Sequence, residues 1–156
     1  MIRMTVSDSG VRARLQLISD ALRDLRPLGD VFHQIFIEFI QRHFDSEGGY
    51  AGTPWAPLSP RYAAWKSAHY PGQPILRMRG TLYGSLTSRG AGSVVKISAR
   101  AMEFGTTVPY ARAHQVGDPA RNLPARVVVP PFTQAEGTML ADATLAYLLS
   151  RGRVLR

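Results

Sequence analysis

Cysteine is absent from the 156-residue chain, which excludes a disulfide framework and any thiolate metal site. A reducing compartment fits that absence. Lysine is scarce as well: Lys66 and Lys96 are the only two, so nearly all the positive charge behind a formal net charge of +8 is arginine. No apolar run approaches the roughly 18 residues of a membrane span. The first fourteen residues carry charge in place of the apolar stretch of a secretory leader, so the chain is expected to be cytoplasmic when made. Acids are missing from the middle. Between Gly48 and Arg126 only Glu103 and Asp118 are acidic, against ten bases from Arg61 to Arg126. Such a field favours an acidic or polyanionic partner, and the planar arginine fork suits interfaces, phosphates and carboxylates better than a lysine ammonium does. The plain alternative is a solvated surface on which arginine stands where another chain would use lysine, because the bases are scattered.

A hydrophobic fraction of 45% with 19% charged residues predicts an ordered globular chain, and the length predicts a single domain over 1–156. Val11, Leu15, Ile18, Leu22 and Leu25 recur at helical spacing and predict a helix from Asp8 to Arg26, capped by Ser7 or Asp8 and stopped by Pro27 and Gly29. A second helix, capped by Asp30, is predicted over roughly Val31 to Phe44, apolar on most sides, so that the two form a hairpin. Shorter helices are predicted over Pro60–Ser67, with Ser59 as cap and Pro60 at the first position, and over Arg79–Ser88. The alternating, Val- and Ile-rich run Ser93–Ala99 predicts a strand paired with Ala101–Gly105, and Arg126–Val129 a further short strand stopped by Pro130 and Pro131. A final helix follows from Phe132 or Gln134 to Arg151, ended by Gly152 and followed by a basic tail. The fold class expected is α+β: an N-terminal helical hairpin, a small antiparallel sheet in the middle and a C-terminal helix.

Reactive signatures are missing. Neither Gly-x-x-x-x-Gly-Lys-Ser nor a Gly-x-Gly-x-x-Gly after a strand occurs, and no serine sits in Gly-x-Ser-x-Gly. The histidines His33, His43, His69 and His114 lack the local pairing of metal ligands and read as structural or solvated. His114 has Asp118 nearby in sequence, yet a nucleophile–base–acid set needs three converging groups. Its plainer role is hydrogen bonding to backbone together with Gln115, with Gly117 closing the turn. Glu38, inside the apolar second helix, is a candidate buried acid without an acidic partner. Trp55, Tyr62, Trp65, Tyr70 and Tyr83 alternate with Arg61, Lys66, Arg77 and Arg79, a mixture that suits base stacking and phosphate contact. It equally suits aromatic packing with arginines at the rim, the reading favoured here. The chain is therefore not expected to be an enzyme, and no cofactor or metal is called for.

Four segments in fixed order carry the remaining information: Gly52–Ser59, Ile75–Leu86, Tyr110–Gly117 and Leu123–Arg126. Their glycines, prolines and aromatics fix geometry, and Trp55, Leu58, Gly80, Leu82, Tyr110, His114, Gly117 and Pro124 are the residues expected to set packing. With these the chain resembles the phage virion morphogenesis family, the tail-completion proteins of Mu-like and related tailed phages and prophages. That family carries Gly-x-x-Trp-x-Pro-Leu-Ser followed by a lysine, here Gly52–Ser59 with Lys66. Next come Ile-Leu with Gly-x-Leu-x-x-Ser, here Ile75–Leu86, then Tyr-Ala-x-x-His-Gln-x-Gly, here Tyr110–Gly117, then Pro-Ala-Arg at Pro124–Arg126. Two departures concern the local contact surface: Val127–Phe132 replaces an aromatic with Leu-Gly, and Arg77-Met78-Arg79 replaces a more acidic or polar stretch.

The resemblance implies a structural virion protein of the neck or tail end. It implies a homo-oligomeric ring, a hexamer favoured, that completes the tail and supports head–tail joining, with other neck and tail proteins as partners and DNA passing through the lumen. A ring repeats one heterologous interface around an axis, and arginine and aromatics are enriched in interfaces. Arg112, Arg121 and Arg126 are the expected inter-subunit or partner contacts, and Trp55 and Tyr110 are expected to fix the loop against the sheet. The alternatives are a free-standing basic nucleic-acid-binding module and a small hydrolase using His114.

Overall fold

The computed structural model describes residues 9–152, so the expected caps Ser7 and Asp8 and the basic tail beyond Gly152 lie outside the described residues. Helix α1 spans Ser9–Leu22, and a single tight turn, Arg26–Leu28, leads into α2, Gly29–Asp45. The first helix stops short of Arg26 because Asp24 turns back. Its carboxylate accepts from the Arg26 backbone N–H (3.1 Å) and from the Arg26 guanidinium (2.8 and 2.6 Å). Those bonds hold the Asp24 carboxyl down at about 2. Leu25 N–H then donates to Ala99 O at 3.0 Å, tying this turn to the hairpin that follows the fourth helix. The second helix begins two residues before Val31, with Asp30 inside its first turn, where a carboxylate favours the helix dipole.

Helix α3 (Pro60–His69) starts as expected, with Ser59 Oγ accepting from Tyr62 N–H, and α4 covers Thr81–Thr87. Strands β1 (Ser93–Ile97) and β2 (Met102–Thr106) pair antiparallel, with Val95 opposite Phe104 and Lys96 opposite Glu103. The period of two puts Phe104 on α2, where its ring lies 5.1 Å from His33 and 5.5 Å from Phe36. It puts Lys96 and Glu103 outside, as a 3.0 Å ion pair. Ser85 of α4 shares a 2.7 Å hydrogen bond with Thr106 of β2. The core gathers Phe36, Phe39, Ile40 and Phe44 of α2, Trp55, Leu82 and Leu86 of α4, Val108, Ala111 and Val128. Glu38, a candidate buried acid in the sequence, is exposed and accepts from Gln34 Nε2 at 3.0 Å.

One expectation changes, and one helix appears where no element was expected. Ala111–Val116 forms a short helix, α5, and Arg126–Val129 is not a strand. The physical reason is one side chain. Gln115 Oε1 accepts from Val128 N–H (2.8 Å) and Val129 N–H (2.9 Å), and Gln115 Nε2 donates to Val129 O (3.0 Å). A side-chain amide thus takes the place of a neighbouring strand.

The last helix, α6, spans Gln134–Gly152. Its start is fixed by Glu136, which reaches back to accept from Thr133 N–H at 3.1 Å and from the Thr133 hydroxyl, while its other oxygen accepts from Tyr50 Oη–H at 2.6 Å. This is the reach-back half of a capping box, tied to the loop after α2. Glu136→Ala is expected to destabilise the chain by about 1–3 kcal/mol, because it removes a buried acceptor and leaves three half-buried donors of Tyr50 and Thr133 unpaired; urea unfolding measures it. Beyond this start α6 runs alongside α1, which therefore finds its neighbour in α6 and turns little toward α2. Val11, Leu15 and Leu22 of α1 and Leu145 and Leu149 of α6 remain exposed on this pair.

Candidate functional site

The four ordered segments, far apart in the chain, line one concavity of about 960 Å³. Pro57, Leu58 and Ser59 come from the first segment, Leu76 to Thr81 from the second, Tyr110 and His114 from the third, and Leu123, Pro124 and Arg126 from the fourth. Tyr62 and Lys66 of α3 and Arg121 and Asn122 complete the lining.

The walls are built from the backbone outward. Trp55 is buried, its ring 5.0 Å from Phe44 and 5.4 Å from His43, both edge-on. Trp55 Nε1–H and His43 Nε2–H both donate to Val127 O, each at 2.8 Å. A carbonyl only accepts, so His43 carries its proton on Nε2. One residue earlier, Arg126 is only 4% exposed and donates from Nε to Ala56 O (2.7 Å) and from Nη2 to Pro57 O (2.9 Å). The first and fourth segments are thus sewn together through Trp55–Val127 and Arg126–Ala56/Pro57. The third joins them by Arg126 N–H donating to His114 O at 2.7 Å.

Two glycines shape the lips. Gly80 precedes α4 with φ of 76°, and open space surrounds its missing Cβ, so its role is conformational. Gly117 has φ of 80°, and a Cβ there would lie 3.0 Å from Ala125 N and 3.1 Å from Leu123 O. That close approach lets Asp118 N–H reach Leu123 O at 2.8 Å and folds Leu123–Arg126 back over α5.

The expected site residues separate by burial. Trp55 and Leu82 lie in the core, and Leu58 and His114 are half-buried in the groove wall. Tyr110 is 47% exposed and stands at the groove rim, 6.1 Å from the His114 ring, whereas Trp55 packs against Phe44 and His43 of α2 and not against the sheet residues expected. Pro124 is exposed on the lining. Arg112 is exposed, outside the lining and without a partner among the described residues. Arg121 is exposed, 3.3 Å from Asp118. Arg126, grouped with them as a contact residue, is spent inside the fold instead: its guanidinium meets two carbonyls of its own chain. Arg126→Ala is expected to cost about 2 kcal/mol in urea unfolding, and Arg126→Lys to recover only part, since an ammonium cannot make the planar double contact.

Gln115, expected with His114 to hydrogen-bond backbone, does so through its amide, while His114 Nδ1 is left without a partner among the described residues. Lys66 and Arg77, named in the sequence among the interleaved bases, are fixed into the walls. Lys66 is buried, donates to Pro74 O, and has its pKa pushed down by burial, partly offset by Glu47. Arg77 donates to Asp45 at 2.7 Å and stacks 3.9 Å from the Tyr83 ring centroid. Their types were visible; their burial follows from the folding back of 70–78, which composition does not encode.

His43, His33 and His114 all have lowered pKa values, desolvation being the largest cause in each, with Arg126 adding to it at His114. Each is therefore neutral in the fold and takes up a proton more readily when unfolded. Between the lowered folded values and the ordinary 6.5 the unfolded chain binds more protons. Stability is fully present above about 6.5 and is lost as pH falls below it. Urea midpoints measured from pH 7.5 to 5.5 are expected to fall, and His43→Gln to flatten the slope; midpoints that rise toward acid contradict the burial of these rings.

Chemically, the groove presents guanidinium, phenol and aliphatic surface. The carboxylate nearest His114 in sequence, Asp118, is engaged with Arg121, and among the described residues no cluster of histidines and acids could hold a metal ion. This is an α+β protein whose ordered segments build one concavity. The chain belongs to the phage virion morphogenesis family, whose model matches residues 6–148. Membership gives it a role in the morphogenesis of the phage particle. No curated protein and no solved structure matches the chain.

Proposed function

We propose that the protein is a non-enzymatic structural component of the neck or tail end of the phage particle, assembled in the host cytoplasm. Copies form a ring, a hexamer favoured, that completes the tail and supports stable head–tail joining alongside other neck and tail proteins. The observation that carries this reading is the family match over 6–148, joined to four family segments that converge on one concavity. Two surfaces suit self-association. The α1–α6 pair leaves Val11, Leu15, Leu22, Leu145 and Leu149 exposed, an apolar area of the kind that marks interfaces. Arg112, exposed and outside the groove lining, offers a guanidinium for a second patch, as a heterologous ring contact needs two different patches. The net charge of +8 suits a lumen crossed by DNA.

Sedimentation and native mass measurements of the purified chain are expected to give a closed oligomer, with six copies as the favoured count. Arg112→Glu is expected to raise the concentration needed for assembly by about tenfold or more. Particles made without the protein are expected to show, by electron microscopy, unjoined heads and tails or tails of uncontrolled length; normal infectious particles would overturn the reading. Tight, steeply salt-dependent DNA binding by a chain that never assembles would favour the basic nucleic-acid-binding module instead.

A further inference from the structure

The groove carries five cations on its lining, Lys66, Arg77, Arg79, Arg121 and Arg126, and no carboxylate. Three of them are fixed into the walls: Lys66 on Pro74 O, Arg77 on Asp45, and Arg126 on Ala56 O and Pro57 O. Arg79 is exposed without a partner among the described residues, and Arg121 is exposed with only Asp118 beside it. The same lining carries the aliphatic side chains of Leu58, Leu76, Met78 and Leu123. Unmet hydrogen-bonding capacity gathers in the same place. Three buried side-chain atoms among the described residues lack a partner, and two of them, Arg77 Nε and His114 Nδ1, belong to groove residues. Buried polar atoms are nearly always paired in a finished structure.

We propose that this groove is the docking site for an extended acidic segment of a partner protein, whose carboxylates pair with Arg79 and Arg121 and whose apolar side chains rest on Leu76, Met78 and Leu123. Charge complementarity selects the occupant's sign: every charged side chain on the lining is a cation, so a basic segment is repelled. The count of exposed cations selects its class. A nucleic-acid groove neutralises a run of phosphates along the backbone, as in proteins that make about 6–10 such contacts, whereas here only two guanidinium groups are exposed on the lining. Two carboxylates spaced along an apolar peptide match that number, and each guanidinium takes a carboxylate in a bidentate pair. The inference rests on the lining alone and stands apart from the ring reading, since ring formation is read by mass and groove occupancy by binding.

The test is selection of a random peptide display library on the immobilised full chain, followed by affinity measurements with the selected peptides. Enriched sequences are expected to carry Asp or Glu between apolar residues. Their affinity is expected to fall by about tenfold or more for the double variant Arg79→Glu with Arg121→Glu, and to survive Arg79→Lys with Arg121→Lys in large part. Both positions are exposed, and circular dichroism checks that the variants fold. A second arm leaves the protein untouched: Glu→Gln and Asp→Asn versions of the selected peptides are expected to lose affinity to the same extent. No enrichment, enrichment of sequences without carboxylates, or equal binding to the charge-reversed chain overturns the proposal. A single-stranded oligonucleotide binding the groove more tightly than any selected peptide overturns it in favour of nucleic acid.

Discussion

Replacing Trp55 by alanine is expected to destabilise the chain by about 3–5 kcal/mol, the range for removing a large aromatic from a core. The indole sits edge-on to both Phe44 and His43 and is the side chain through which Gly52–Ser59 reaches α2. The substitution opens a cavity beside Phe44, which is fully buried, and takes one of two donors from Val127 O. Trp55→Phe is expected to recover most of the packing and to leave a deficit of about 1 kcal/mol for the lost hydrogen bond. Urea unfolding of the three chains separates the two contributions. Because Val127 adjoins Arg126, the loss also loosens the wall of the groove, so peptide affinity is expected to weaken even where the chain stays folded. A loss below about 1 kcal/mol for Trp55→Ala would mean that the indole is not part of the core.

Gln115→Ala is expected to cost about 2–4 kcal/mol, although it removes only a half-buried polar side chain. The amide serves three backbone groups of Val128 and Val129, and each buried group left unpaired costs about 1–3 kcal/mol, less where water can reach it. Val128 is 1% exposed, so its N–H has little access to water. Gln115→Glu tests the same geometry from another side. It keeps the acceptors for Val128 and Val129 N–H but loses the donor to Val129 O, and it places a charge in a half-buried position. It is therefore expected not to rescue stability. Amide exchange gives the local reading: protection at Val128 and Val129 is expected to collapse in Gln115→Ala well before that of the α2 core. Unchanged protection would show that these N–H groups have another acceptor.

The helices were legible because each has a local cause. Pro60 after Ser59, the apolar spacing of α2 and the apolar run closed by Gly152 act within a few residues of where they are written, and the structure places α2, α3, α4 and α6 close to the expected bounds. The β-hairpin was legible for the same reason, since alternation and a tight turn set its register. Arg126–Val129 was misread for the opposite reason. Its Val-rich composition suits an extended backbone, but a strand also needs a neighbour, and the neighbour here is a glutamine from a helix that the sequence did not announce. The pairing of α1 with α6 was likewise not local, because an apolar stripe says that a face is to be covered and not by what.

The site divides along the same line. The residue types and their order were enough to mark Gly52–Ser59, Ile75–Leu86, Tyr110–Gly117 and Leu123–Arg126 as one family's segments, and the family match agrees. They were not enough to tell Arg126 from Arg112 and Arg121. All three are arginines in basic, turn-rich stretches, and only the fold decides that one guanidinium faces two carbonyls of its own chain while the others face water. Composition and periodicity determined the charge, the helices and the family, because those depend on neighbours in the chain. Tertiary structure alone decided that the four segments meet in one cationic groove and which arginines stay exposed within it, because burial is a property of where distant segments come together.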